Sequence, residues 1–540
     1  MGIRTGAQFL AKLDAMRPHL VIDGEVVSEN LTRHPAFRQL ALTYAKLFDM
    51  QHDPAHRDAL TYESPTTGDL VNASFLVPRT PQDLARRRAA TATWSEYSNG
   101  FLGRTADYMN AALTALSTAK TFFAQGDPVF GERIEAYYEF ARENDLLATH
   151  TLIPPQVNRS VSGSEQLGGQ LTARIVEERA DGIVISGARM LATVAPIADE
   201  LLVFPSTVLR GTPEDAPYSF AVAVANDAPG LRYLCRTGLH NGGNTHDEPL
   251  AARFDEIDAV VVFDEVFIPN ERIFMLGRPE LCNAWYTDTG AGALMTHQVV
   301  TRTVAKSEFY LGLASEIAGA IGIDGFAHIQ EDLAELIRNV EIGKALVVAA
   351  EAQAAPSVDG VLLPHWETLN AARNWYPKIS QRFPEIIRKF CASGLMALPG
   401  EADLEVATED IAKYLQGKSL TGSERIRLFK LAYDASITGF SGRQALYEYF
   451  FFRRSRAHGR SHGEQLRPRA DVPASARIPG PGGLRNHRGN AFAQDAGLPA
   501  HPAPDIPRAR GGTAETQIDV SGVTMMGYHG QSTLPSERSV

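Results

Sequence analysis

The chain is short of cysteine, of positive charge and of long apolar runs, and each shortage closes off a class of protein. Its three cysteines, Cys235, Cys282 and Cys391, lie far apart in 540 residues. An odd number without paired spacing argues against a disulfide framework or a zinc knuckle, and makes a reducing cytoplasm the default location. The formal net charge of −11 offers no general attraction to nucleic acid or to an anionic membrane. No apolar run is long enough to span a bilayer. The N-terminus, MGIRTGAQFLAKLDAMRPHL, mixes charges among its apolar residues and lacks the core of a secretory signal. No GxGxxG follows a strand pattern and no GxxxxGK[ST] occurs, so the common nucleotide-binding fingerprints are missing. His240 and His246 flank NGGNT without a third ligand nearby. They read as polar loop residues, and no metal is expected.

What is present is the composition of an ordinary globular protein, 44% hydrophobic and 21% charged, in a chain too long for one hydrophobic core. Residues 1–150 read as an N-terminal helical domain. Phe37, Leu40, Ala41, Tyr44, Leu47 and Phe48 follow the helical period, and Thr80-Pro81-Gln82-Asp83 combines an N-cap, a first-turn proline and an acid. Another helix is predicted over 131–147. Residues 151–280 change to the strand period. A hairpin is predicted at Asp181-Gly182, with further strands at 201–204, 218–224, 231–236 and 259–267. An antiparallel barrel or sandwich is expected there. Residues 281–452 return to helix, with a stripe of Leu333, Ile337, Val340, Lys344 and Val347 and a capping box at Thr421–Glu424. From 453 to 540 the chain is rich in Pro, Gly, Ala and Arg with no sustained hydrophobic period, and is expected to be a disordered tail. The fold class is α+β.

At the first change of period stands ATHTLIPPQVNRS, Ala148 to Ser160. It packs His150, Gln156, Asn158 and Arg159 around Pro154-Pro155, which must break a helix. Irregular backbone dense in hydrogen-bonding groups suits a ligand site; a solvated connector is the other reading. Upstream, Arg104 and Tyr108 stand four apart, so both can face one cavity if helix begins near Asp107.

The helical–β–helical order and the stretch VVVFDEVFIPNERIFM (260–275) resemble the acyl-CoA dehydrogenase-like flavoproteins. Four blocks narrow the resemblance to the 4-hydroxyphenylacetate 3-hydroxylase family: GRTADYMN (103–110), THTLIPPQVNR (149–159), DGIVISGARMLAT (181–193) and RIRLFKLAYDASITGFSGRQALYE (425–448). The similarity covers roughly 6–451. It implies the oxygenase component of a two-component, FADH2-dependent monooxygenase. A separate NAD(P)H-dependent flavin reductase would supply the reduced FAD. Dioxygen would form a flavin C4a-hydroperoxide that hydroxylates a phenol beside its hydroxyl, giving a catechol. The resemblance also implies a homotetramer, a dimer of dimers, in the cytoplasm.

Carried over by matching blocks, Arg104, Tyr108 and His150 resemble the family's phenol-holding trio. His150, Thr151, Leu152 and Ile153, then Gln156, Val157, Asn158, Arg159, Ser160, Val161 and Ser162, match the backbone lining FAD. Thr193 matches a threonine near the flavin N5 edge. Ser206 and Thr207 fall where the family's substrate loop begins, and His297 stands where some relatives place a substrate-binding histidine. Gly439, Phe440, Ser441, Gly442 and Arg443 resemble a turn that reaches the cofactor of a neighbouring subunit. Two alternatives remain in view. A lyase like 4-hydroxybutyryl-CoA dehydratase needs cysteines for an iron–sulfur cluster, and TWSEYSNGFLGRTADY has none. The other is an inactive flavin-binding homologue, because after LYEYFFF the chain departs from the family pattern in a way expected to affect oligomerisation and FAD retention.

Overall fold

The computed structural model describes residues 2–451 except 156, 159, 160, 162, 206–208, 210 and 243. The expected tail from 453 lies outside the described residues. Local signals set many of the boundaries. The Thr80 hydroxyl accepts from the Asp83 amide at 3.2 Å while Asp83 accepts from the Thr80 amide at 2.8 Å, and the helix Pro81–Tyr97 begins there. Thr421 and Glu424 do the same for Gly422–Ser436. Each box satisfies amides that a helix start otherwise leaves open.

Two helices form the centre. Ala106–Thr118 is buried on nearly every side. Ala291–Ile321 is buried all round from Ala291 to Thr303 and then becomes one-sided. The 31 residues of the latter span about 46 Å, so it packs against Pro81–Tyr97, Ala106–Thr118, Ala327–Ala352, Trp366–Ile379 and Arg382–Cys391. Its all-round burial explains why no single apolar stripe marks it in the sequence. In Ala327–Ala352 the inner face is carried by Ile329, Leu336, Val340, Gly343 and Val347. Ile337, part of the predicted stripe, is half exposed.

Of the barrel or sandwich expected, the closed barrel is not what the described residues form: the sheets of the β region are open. A six-stranded sheet runs in the order Glu25–Val27, His19–Ile22, Leu231–Cys235, Asp258–Pro269, Gly182–Thr193, Arg174–Arg179. A four-stranded sheet runs Ile273–Leu276, Phe220–Ala225, Glu200–Val203, Ala148–Thr151. Nor is the pairing wholly antiparallel. His19–Ile22 joins Leu231–Cys235 in parallel, and Ala148–Thr151 joins Glu200–Val203 in parallel. Both additions come from outside the run of strands read from sequence, where short segments give little periodic signal.

The helix expected over 131–147 is Pro128–Glu143. Asp145 adopts a positive φ of 46°. Its buried carboxylate accepts from the Arg4 amide at 3.1 Å, Gln51 at 2.8 Å and Asn72 at 3.2 Å. Those long-range bonds hold the chain out of helix well before Pro154 and feed it into the strand Ala148–Thr151.

Candidate active site

Arg104 precedes the helix Ala106–Thr118, and its backbone is fixed from a distance. The buried Glu256 carboxylate accepts from the Gly103 amide at 2.8 Å and the Arg104 amide at 2.7 Å. The guanidinium then lies over the Tyr108 ring, 4.2 Å from its centroid, a cation–π contact produced by the four-residue spacing. Its Nη1 donates to the Gly103 carbonyl at 2.8 Å and to the Tyr447 hydroxyl. His150 projects from Ala148–Thr151 with its ring centroid 5.4 Å from that of Tyr108. All three side chains are buried.

The trio divides into distinct electrostatic roles. Burial, helped by the charge of Arg104, drives the His150 imidazolium well below its usual range. The ring is therefore neutral near pH 7, and its Nδ1 is buried with no hydrogen-bond partner among the described residues. Burial pushes the Tyr108 phenol up and keeps it protonated. Burial would lower Arg104, but Tyr447, Tyr108 and Glu256 raise it above its ordinary value. A cation, a neutral donor and a neutral imidazole with an unused ring nitrogen thus meet in one buried place. A polar atom left unpaired away from water is costly, so the open Nδ1 fits a site completed by a ligand.

The wall beyond His150 is held by the strand Gly182–Thr193. The Thr149 hydroxyl donates to the Thr193 carbonyl, and Thr151 donates to the Met190 carbonyl at 3.1 Å. The Met190 amide donates to the Ile153 carbonyl at 2.7 Å. Leu152 presents its carbonyl to Arg189 at 3.2 Å. Val157 is exposed, Val161 is half-buried, and the Asn158 amide donates to Gln166 at 3.3 Å. Gln156, Arg159, Ser160, Ser162, Ser206 and Thr207 lie outside the described residues. These bonds hold the stretch beside His150 and the strand Gly182–Thr193 together as one surface.

Thr193 does not leave its hydroxyl open. It donates to Asp258 at 2.7 Å, directly across the strand pair. Leu191 and Val194 on either side have φ of 68°, an unusual conformation for a β-branched valine. Asp258 also accepts from Arg443 at 3.0 and 2.8 Å and from Arg236 at 3.0 Å. Arg443 reaches on to Glu256 at 3.4 Å. Burial would raise the Asp258 carboxyl, but Arg443, Arg236 and Thr193 hold it down at about 2.

Gly439 opens the helix Gly439–Phe451. Phe440 is buried against Phe101 at 5.7 Å, Ser441 donates to the Thr438 carbonyl at 3.0 Å, and a Cβ at Gly442 would meet open space. Two turns on from Phe440, Tyr447 has the guanidinium carbons of Arg104, Arg302 and Arg443 at 5.4, 5.5 and 5.0 Å from its ring. A Cβ at Gly103 would lie 2.5 Å from that ring, so any larger residue there would have to displace Tyr447. Glu448 pairs with Arg302 at 2.9 Å and Lys306 at 2.8 Å.

His297 is buried on Ala291–Ile321, and its Nε2 meets Glu351 at 2.8 Å. Glu351 also accepts from Arg88 at 2.9 Å. The sequence reading did not single out Glu256, Asp258, Arg189 or Tyr447. Arg189 and Tyr447 stand inside quoted blocks, and a charged residue in the apolar run GIVISGARMLA was a visible sign.

The arrangement of helices around open sheets is that of the acyl-CoA dehydrogenase-like class. A 4-hydroxybutyryl-CoA dehydratase from N. maritimus superposes with a TM-score of 0.74 at 19% identity over 86% of this chain and 95% of that one, which shows the fold alone. Models described as 4-hydroxyphenylacetate 3-hydroxylase N terminal and C terminal match residues 5–275 and 282–458. The oxygenase component of 4-hydroxyphenylacetate 3-monooxygenase from Geobacillus sp. (strain PA-9) is 42% identical over 454 residues, 84% of this chain and 91% of the relative. Its namesake from Thermus thermophilus is 42% identical over 450 residues, 83% and 92% respectively. A crystal structure of such an oxygenase component complexed with FAD and 4-hydroxyphenylacetate superposes with a TM-score of 0.81 at 40% identity, over 86% of this chain and 98% of that one. The chain belongs to the 4-hydroxyphenylacetate 3-hydroxylase family.

Proposed function

We propose that this chain is the oxygenase component of a two-component, FAD-dependent monooxygenase that hydroxylates a phenol ortho to its hydroxyl, giving a catechol. The observation that carries this reading is the buried meeting of Arg104, Tyr108 and His150. Reduced FAD comes from a separate NAD(P)H-dependent reductase; when bound it would supply the two electrons that activate dioxygen, one atom of which enters the phenol while the other leaves as water.

The chain's own residues do the rest. Arg104 donates to the phenolic oxygen and, as a buried cation, favours negative charge there, which enriches the ortho carbon in electrons. His150, held neutral, accepts the phenolic proton or its hydrogen bond, and Tyr108 donates to the same oxygen. Burial excludes water, which would otherwise divert the oxygen to hydrogen peroxide. His150 to Ile153 and Gln156 to Ser162, with Thr193, take the flavin. We place the protein in the cytoplasm as a dimer of dimers; exposed Leu446, Tyr449 and Phe450 on the last helix support a contact between copies. Among the described residues no helix is long and apolar enough to cross a membrane.

The test is direct. The full chain is mixed anaerobically with reduced FAD, exposed to oxygen with a panel of para-substituted phenols, and assayed for catechol and peroxide. Catechol from at least one phenol is expected. Flavin binding with peroxide alone across the panel would assign an inactive homologue instead.

A further inference from the structure

Among the buried cations, Arg4, Arg142, Arg302 and Lys306 each pair with a carboxylate. Arg104 instead donates to the Gly103 carbonyl and the Tyr447 hydroxyl, and Arg373 to the Tyr286 hydroxyl at 3.3 Å. Arg87 donates to two carbonyls at 2.6 and 2.7 Å and feels the charge of Asp107. Arg189 is 2% exposed. It donates from Nη1 to the Leu152 carbonyl at 3.2 Å, and its Nε has no partner among the described residues. The guanidinium lies 5.7 Å from the Phe220 ring centroid. No carboxylate offsets the burial that pushes it down to about 10; the Cys282 thiol is the one group acting the other way. A buried charge without a counter-charge is strongly unfavourable, and a methionine would fill the same slot without that cost.

We propose that Arg189 is the built-in counter-charge for an anion that docks against the Leu152–Ile153 wall. Two sources share that chemistry: a carboxylate on the tail of the phenol, and the ring of reduced flavin, which carries negative charge near neutral pH. This inference rests on the oxygenase reading, since it takes that wall to hold ligand. A buried guanidinium acts over several ångströms in a low-dielectric interior, so it favours such an anion even without direct contact. Local consistency is given up at this position, as happens where a residue serves a ligand rather than the fold.

The experiment uses Arg189→Met and Arg189→Lys in the full chain. Binding is measured anaerobically by calorimetry for reduced against oxidised FAD, and for 4-hydroxyphenylacetate against p-cresol. Arg189→Met is expected to keep or raise the unfolding midpoint of the ligand-free protein, and to lower one of the two affinity ratios about tenfold. Loss of the reduced-over-oxidised preference assigns the charge to the flavin; loss of the acid-over-cresol preference assigns it to the phenol tail. Arg189→Lys should hold both ratios within about threefold. Both ratios unchanged in Arg189→Met, or all ligands weakened equally, overturns the inference. Should Arg189→Met not fold, Arg189→Gln is read in the same two ratios. Wild-type protein that binds neither FAD nor any phenol would instead remove the oxygenase reading, and this inference with it.

Discussion

The Thr193 hydroxyl donates to the Asp258 carboxylate at 2.7 Å, which ties the end of the candidate flavin wall to the charge cluster beneath it. Arg443 grips the same carboxylate through two nitrogens, and Arg236 through a third bond. Asp258→Asn should therefore cost about 2–3 kcal/mol, less than the loss of an isolated buried pair, because Arg443 keeps Glu256 and Arg236 keeps Asp255. Urea unfolding followed by circular dichroism measures it; a loss below about 0.5 kcal/mol would make the cluster dispensable.

Acid should weaken the fold in a defined window. Asp258 is lowered from 3.8 to about 2 and Glu448 from 4.5 to about 2; in both, arginine partners overcome burial. A carboxylate depressed in the folded state contributes stability that is complete above its unfolded value and lost as pH falls toward its folded value. These contributions are full above about pH 4.5 and fade toward pH 2. The difference in Tm between wild type and Glu448→Gln should shrink across that interval in scanning calorimetry. A constant difference would remove Glu448 from the acid response.

His150 should not titrate between pH 6 and 8, because burial and Arg104 both hold its pKa well below the usual range. The ring would then act as a standing neutral acceptor rather than a group that titrates near neutrality. Nitrogen-15 spectra of the labelled protein should show one neutral form throughout. His150→Ala should still reoxidise reduced flavin but release peroxide in place of catechol. Unchanged coupling would take His150 out of the phenol site.

Tyr447 is expected to act as a positioning residue for Arg104. Tyr447→Phe keeps the ring among its three guanidiniums and removes the hydroxyl that Arg104 bonds. Phenol affinity should fall about tenfold to a hundredfold, the worth of a hydrogen bond to a charged group, while reduced FAD binds as before. Pairing the change with Arg104→Ala gives the check: if the hydroxyl works through Arg104, the double variant should bind phenol no worse than Arg104→Ala alone.

Local chemistry was legible in the sequence wherever neighbours in sequence are neighbours in space. The capping boxes at Thr80 and Thr421, the hairpin at Asp181-Gly182 and the Arg104–Tyr108 stack all depend on residues within four positions. The missed features join distant segments. Glu256 reaches Arg104 across 152 positions and Tyr447 across 343, and no periodicity encodes such pairings. The parallel pairings went unread for the same reason, since three strands, Glu25–Val27, His19–Ile22 and Ala148–Thr151, join the sheets from outside the β run.

Glu256 and Asp258 sit two residues apart, one holding the Arg104 backbone and the other Thr193, with Arg443 touching both. The end of the site that would grip the hydroxyl and the end that would face the ring are therefore inherited as one piece. A substitution that shifts either end strains the other, so most single changes there are lost before they can be refined.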